Sequence, residues 1–267
     1  DRYKILGTSF EAIDISEDRE RFQKLIQKVG LKQPKSDISL GTKELVTKSS
    51  KLNFPILLRP SYVLGGRMME KMANLDDVQN YIDQNYWALE NNVILIDEFL
   101  QNAKEVDVDV LRDNQGNTMI AGIMEHIEEA GIHSGDSACS IPPFSLNDKI
   151  ISDIKKFSIS LVNELKILGL MNIQYAIKDD EIFILEANPR ASRTIPFLAK
   201  AIGIPFIKIA AELIVGKTLT EEYQNFDNNT LPYFAIKEAV FPFNKFPNTD
   251  VILCLLYTSD AADDSLR

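Results

Sequence analysis

Two short apolar runs, residues 171–177 and 181–185, are separated by nothing but Lys178-Asp179-Asp180. Strands joined by so little chain must pair antiparallel, and a charged, turn-forming linker suits a tight hairpin. The second run ends in Leu185-Glu186-Ala187-Asn188-Pro189-Arg190-Ala191-Ser192-Arg193, which sets an acid, an amide and two guanidinium groups within eight residues. Glu186 and Asn188, two apart on one strand, point to the same face and supply the oxygen ligands that a hard cation such as Mg²⁺ takes. Arg190 and Arg193 follow where the chain turns, planar donors suited to a small oxyanion or a transferring phosphoryl group. Taken alone, the segment also fits a strand end with a solvated acid and two surface arginines.

Around this hairpin the two periodicities alternate, which predicts a mixed α/β protein. Ser16 precedes Glu17-Asp18 as a helix start does, and Phe22, Leu25, Ile26 and Val29 recur at helical spacing up to Gly30. Strands are predicted at 55–59, 93–96, 105–111 (strictly alternating polar and apolar) and 118–127, with helices at 76–89 and 147–168. The last helix carries Ile150, Ile151, Ile154, Phe157, Leu161 and Leu165 on one stripe. With 267 residues, 45% of them hydrophobic, the chain can bury a core of two lobes.

Composition narrows the setting. A net charge of −10 opposes general affinity for nucleic acid, although it leaves room for an anionic nucleotide held by local arginines and Mg²⁺. The two cysteines, Cys139 and Cys254, lack metal-ligand or disulfide spacing, which favours a reducing cytoplasmic or organellar compartment. No apolar run approaches the roughly 18 residues that span a bilayer, and no signal peptide opens the chain, so no membrane association is expected. The start at Asp1-Arg2-Tyr3, without methionine, reads as a piece of something longer.

Two further stretches carry chemistry. Gly65-Gly66 follows a strand and lies between Arg59 and Arg67. Such glycines let backbone N–H groups approach phosphates, and they equally serve a plain hairpin turn. Neither the P-loop nor the dinucleotide-binding glycine string occurs. Residues 125–137 hold both histidines, His126 and His133, with four carboxylates. The histidines stand seven positions apart across a glycine, no thiolate lies within the stretch and H-E-x-x-H is absent, which disfavours zinc. The stretch is read as a polar loop lining an active site, with a solvated loop as the alternative.

The strings RPSYVLGGR (59–67), KEVDVDVLRD (104–113), GIMEHIEEAGIHSGDSACS (122–140), GLMNIQYAIK (169–178), LEANPRASRT (185–194) and FPFNKFP (241–247) together resemble the large subunit of carbamoyl phosphate synthetase over about residues 5–250. More narrowly they resemble its carboxy-terminal synthetase unit, the one assigned to phosphorylating carbamate. The resemblance implies an α/β (α+β type) ATP-grasp fold of two lobes with ATP bound between them. By similarity Arg19 and Arg59 would contact the phosphates, Gly65 and Gly66 would form the lid, and Glu98, Leu100 and Glu105 would surround adenine and ribose. At Glu98 the match is one of position only. Gly131, Ile132, His133 and Ser134 would line the nucleotide pocket. Gln174, Glu186 and Asn188 would hold Mg²⁺ (or Mn²⁺), with Gln174 and Glu186 also facing the nucleotide. Arg190 and Arg193, with Asn188, would serve the carbamate or its phosphorylated product.

The implied activity is ATP-dependent phosphorylation of carbamate, within carbamoyl phosphate synthesis from bicarbonate, ammonia or glutamine, and two ATP. The implied partners are a glutaminase small subunit or fused glutaminase domain and the sibling synthetase unit. The implied location is cytoplasmic, or mitochondrial in a eukaryote. Within 1–250 the expected parts are a helical lead-in (1–50), a lid lobe (51–115) and a metal and phosphate lobe (116–250). Residues 251–267 depart from the family and are expected to be a non-native tail. Two rival readings remain at this point: a truncated, non-catalytic nucleotide-binding fragment, and another ATP-grasp ligase such as a biotin-dependent carboxylase.

Overall fold

The computed structural model describes residues 6–60, 68–130, 137–227 and 231–238. In chain order the first elements are α1 (Phe10–Glu17), α2 (Arg19–Val29), β1 (Ser36–Leu40), α3 (Leu45–Ser49), β2 (Ile56–Pro60) and β3 (Glu70–Met72). They are followed by α4 (Leu75–Leu89), β4 (Val93–Glu98), β5 (Lys104–Arg112), β6 (Thr118–Glu129), β7 (Cys139–Ile141) and α5 (Asp148–Glu164). The last are β8 (Gly169–Lys178), β9 (Glu181–Asn188), α6 (Ile195–Ile202), α7 (Phe206–Ile214), α8 (Glu221–Gln224) and β10 (Ala235–Lys237). No helix among the described residues is long and apolar enough to cross a membrane.

The chain divides into two units. One comprises Asp1–Gln33, Ala103–Ala130 and Ser137–Ala239; the other comprises Pro34–Asn102, Gly131–Asp136 and Val240–Arg267. The sequence-based parts were drawn instead at 50/51 and 115/116. In the second unit an antiparallel sheet of order β1-β4-β2-β3 packs on α3 and α4 around Leu45, Ile56, Leu58, Val78, Tyr81, Leu89, Ile94 and Ile96.

The first unit is built on a six-stranded sheet of order β10-β7-β6-β5-β8-β9, each described pairing antiparallel. Its apolar face carries Val106, Val108, Val110, Ile123, Ile173, Tyr175 and Ile184, packed with residues of α1, α2 and α5. The stripe predicted on the long helix faces this core, with Ile150, Ile154, Leu161 and Leu165 buried. On the other face, toward β6 and β7, α6 and α7 close a second core that includes Met124, Ile141, Leu198, Phe206 and Leu213. There Gly122 lets Leu198 pack against the strand, and a Cβ at that position, 2.5 Å from Leu198 Cδ2, would force that side chain to shift.

Local chemistry sets the boundaries. Asp18 caps α2 by accepting from the Arg21 N–H at 2.8 Å, and Gly30 ends it in the left-handed region at φ 77°. Asp179 and Asp180 both have positive φ, 51° and 60°, which is the two-residue turn that matches the twist of paired strands. Helix α5 stops at Glu164, short of the predicted 168. Lys166 takes φ 51°, and the N–H groups of Lys166 and Ile167 bond back to Asn163 and Val162 at 3.1 and 3.0 Å. This is a Schellman ending without the glycine that usually announces it, and it releases residues 169–178 to become β8.

Candidate functional site

Strand β5 lies between β6 and β8, so both of its edges are paired, and with helices packed on both faces of the sheet its polar set is buried with its apolar one. Glu105 is 4% exposed, and Asp107 and Asp109 are 0% exposed. Alternation on an antiparallel strand ordinarily sends the polar set to water. Here the register sends it into two polar rows that cross three strands: Asp107 pairs with Gln174, which pairs with Glu186, and Asp109 pairs with Asn172, which pairs with Asn188. Exposure rises along the first row, from buried Asp107 through half-buried Gln174 to Glu186 in solvent.

A β-bulge makes this possible. Tyr175 pairs with Ile184 while Gln174 pairs with Glu186, which leaves Leu185 as an extra residue in β9. Without it, Glu186 would share the apolar face with Ile182 and Ile184, since a one-residue shift exchanges the faces of a strand. The bulge turns Glu186 and Asn188 onto the polar face beside Gln174, and the Asn188 amide donates to Glu186 Oε1 at 2.6 Å. Three of the residues expected to hold a metal are thus gathered: one carboxylate and two amides, all oxygen-bearing and partly open to solvent. Arg190 follows at once, its N–H bonded to the Asn188 carbonyl at 2.8 Å, and Arg193 lies three residues on, just before α6.

Deeper in the same face sits a connected polar network. The stretch 125–137 reads as a loop although the predicted strand 118–127 already holds His126; β6 runs on to Glu129 and buries His126 in the sheet, 3% exposed. The added β pairing with β7, where His126 faces Cys139, is what the charged run of residues 125–129 concealed. His126 Nε2 lies 2.8 Å from Asp107 Oδ2. Its Nδ1 is buried without a hydrogen-bond partner among the described residues, and Glu105 Oε1 stands 3.8 Å from it. Burial works against an imidazolium here, but the bond to Asp107 and the charges of Asp107 and Glu105 outweigh it and raise the pKa of His126. Burial also pushes the Cys139 thiol up to about 12, which keeps it from acting as a thiolate.

The Asn172 amide bridges the two aspartates, donating to Asp107 Oδ1 at 3.3 Å and Asp109 Oδ1 at 3.2 Å. Thr194 Oγ1 donates to Asp109 Oδ2 at 2.5 Å and lies 2.5 Å from Ser192 Oγ. Burial pushes the Asp109 carboxyl up to about 7, against its hydrogen bonds from Thr194, Ser192 and Asn172 and assisted by the nearby Asp107 charge. The sequence reading missed Asp107, Asp109, Asn172 and Thr194. The signal available was parity: Asn172 is two residues before Gln174 on one strand, and three acids alternate along β5.

The remaining candidates separate by unit. In the first unit Arg19 opens α2 and Glu105 joins the buried network. In the second unit the Arg59 guanidinium engages Asp97, with Nε 2.9 Å from Oδ2. Glu98, at the end of β4, accepts from the Asn53 N–H and side-chain amide, both at 2.9 Å, and Leu100 follows half-buried. Gly65, Gly66, Gly131, Ile132, His133 and Ser134 lie outside the described residues.

The fold is shared with solved proteins. Biotin carboxylase from Campylobacter jejuni, solved as a β-γ-ATP complex, superposes with a TM-score of 0.68 over 82% of this chain and 50% of its own, at 16% identity. The biotin carboxylase domain of the Hydrogenobacter thermophilus 2-oxoglutarate carboxylase, in complex with MgADP, ADP and bicarbonate, gives 0.66 over 86% and 51%, also at 16% identity. The fold is therefore the ATP-grasp fold, that of a class of ligases. The profile of the carbamoyl-phosphate synthase L chain, ATP binding domain, matches residues 18–222, and the chain belongs to that family. The carbamoyl phosphate synthase large chain of Xanthomonas axonopodis pv. citri is 47% identical over 255 residues, which is 93% of this chain and 23% of that one. The chain thus spans about a quarter of the relatives' length. The carboxylases share its fold; its family is that of the synthase.

Proposed function

We propose that this chain is the ATP-binding unit that exchanges a phosphoryl group between ATP and carbamate in carbamoyl phosphate synthesis. The observation that carries this reading is the bulge-directed set of Gln174, Glu186 and Asn188, followed directly by Arg190 and Arg193. Oxygen donors partly open to solvent fit Mg²⁺, which dehydrates reluctantly and keeps water ligands. When bound, Mg²⁺ supplies neutralisation of phosphate charge. Glu186 and Asn188, with Gln174, would hold it at the strand end. Arg190 and Arg193 would orient the carbamate and stabilise charge on the transferring oxygens. Phosphoryl transfer needs positioning and charge stabilisation more than a protein nucleophile, so a site of acids, amides and arginines is sufficient chemistry.

In the same reading Arg19 and Arg59 bind ATP phosphates, Glu98, Leu100 and Glu105 attend adenine and ribose, and residues 65–66 and 131–134 complete the nucleotide contacts. Ammonia would come from a glutaminase subunit or domain, and the sibling synthetase unit would supply carbamate. The test is ATP formation from carbamoyl phosphate and MgADP by the full chain. Formation of ATP that disappears in Glu186→Ala supports the reading. A second reading is favoured by the chain's share of its relatives' length: a unit that binds nucleotide but needs the rest of the synthase for turnover. Mg²⁺-dependent ADP binding without ATP formation would select that one.

A further inference from the structure

Thr194 occupies the N-cap of α6, where a threonine hydroxyl normally accepts from its own helix; here it makes no capping bond. Its hydroxyl points instead to Asp109, a carboxylate 0% exposed in the middle of the sheet. Ser192 joins the same cluster, so the residues on both sides of Arg193 are tied to one buried oxygen pair. Asn172 joins Asp109 to Asp107, and Asp107 to His126, which anchors the cluster across β5, β6 and β8. A buried carboxylate is a poor stabilising device, since apolar residues of like volume often serve a core as well. Its geometry here serves a turn.

We propose that Asp109 is a positioning residue: by holding Ser192 and Thr194 it fixes the turn that carries Arg193, and so sets the direction of the anion clamp. The inference rests on the reading of Arg193 as a ligand for carbamate or carbamoyl phosphate. Misdirecting a charged donor forfeits a hydrogen bond to an ion, so affinity for the anion should fall by about tenfold. Nucleotide affinity should stay within about twofold, because the bond lost is not one to the nucleotide.

The experiment is calorimetric titration of the full chain, loaded with MgADP, with carbamoyl phosphate. The variants are Arg193→Ala, Asp109→Leu, Asp109→Asn, Thr194→Val and Thr194→Ser, each checked by thermal unfolding. Asp109→Leu and Thr194→Val should weaken carbamoyl phosphate about tenfold with MgADP affinity kept, as a lost ionic hydrogen bond predicts. Asp109→Asn retains an acceptor and Thr194→Ser retains the hydroxyl, so both should bind nearly as the parent does. Should Asp109→Leu fail to fold, the Thr194 pair carries the test. Parent-like anion binding in folded Thr194→Val, beside a loss in Arg193→Ala, overturns the positioning role and leaves the clamp standing. An equal loss of MgADP affinity also overturns it. Parent-like binding in Arg193→Ala, or none in the parent, overturns the clamp and the positioning role with it.

Discussion

On one side of β5, Val106, Val108 and Val110 are sealed from water by helices; on the other, Glu105, Asp107 and Asp109 are sealed as completely, with Asn172, His126 and Thr194 for company. The first arrangement is stabilised by the apolar area it removes from water, on the order of 25 cal/mol per Å². The second stabilises little, since ions and amides withdrawn from water must recover in hydrogen bonds what they lose in hydration. One strand therefore separates two tasks, and substitutions on its two sides should separate folding from ligand binding.

The largest loss of stability is expected on the apolar side. Ile173→Ala removes a fully buried side chain beside Val108 and should lower the unfolding free energy by about 2–5 kcal/mol in urea denaturation. Nucleotide binding by the molecules that remain folded should be unchanged. Next comes the pH dependence set by the polar side. Asp109 keeps its proton up to about pH 7 when folded, against an ordinary value of 3.8, so between these limits the folded state binds the additional proton. Its contribution is complete below 3.8 and is lost as pH rises through 7, on the order of a few kcal/mol at about 1.4 kcal/mol per pKa unit. His126, also raised, loses its contribution in the same direction as pH rises above 6.5. Asp109→Asn should flatten the slope of stability against pH between 4 and 7; an unchanged slope would assign the proton elsewhere.

A smaller effect sharpens the comparison from within. Glu125 is an acid on the apolar side, 1% exposed, accepting from the N–H groups of Phe144 and Ser145 at 2.9 and 2.8 Å and from the Ser145 hydroxyl. Glu125→Ala should destabilise by about 1–3 kcal/mol, since it removes three part-buried hydrogen bonds to a buried acceptor, with Mg²⁺-nucleotide binding intact. The smallest stability change, within about 0.5 kcal/mol, is expected for solvent-exposed Glu186→Ala.

Legibility followed the same division. The stripe from Ile150 to Leu165, the stop at Gly30 and the turn at Asp179-Asp180 were readable because each is a local device whose residues announce it; the start of α2 was not, since Ser16, read as its opening, lies inside α1 and Asp18 is the cap. The family and the ATP-grasp fold were readable from long strings in order. Helix α1 was not, its single capping bond from Ser9 being a weak sign beside exposed Phe10 and Ile13. Nor were β1, β7 and β10, three to five residues each, whose partners lie far along the chain. Within the site, the pairing of Glu186 with Asn188 was legible from spacing. The bulge at Leu185 was not, because it exists only in register with β8. The buried acids were hidden by their own alternation, which on an isolated strand signals a wet face and only in the middle of a sheet becomes a polar core.

The most direct measurement is calorimetric titration of the full chain with a non-hydrolysable ATP analogue, with and without Mg²⁺, beside Glu186→Ala. Binding that requires Mg²⁺ and is lost in a variant with unchanged melting temperature is the predicted result. Binding indifferent to Mg²⁺, or equal in Glu186→Ala, would contradict the assignment of the polar rows as the metal and phosphate site.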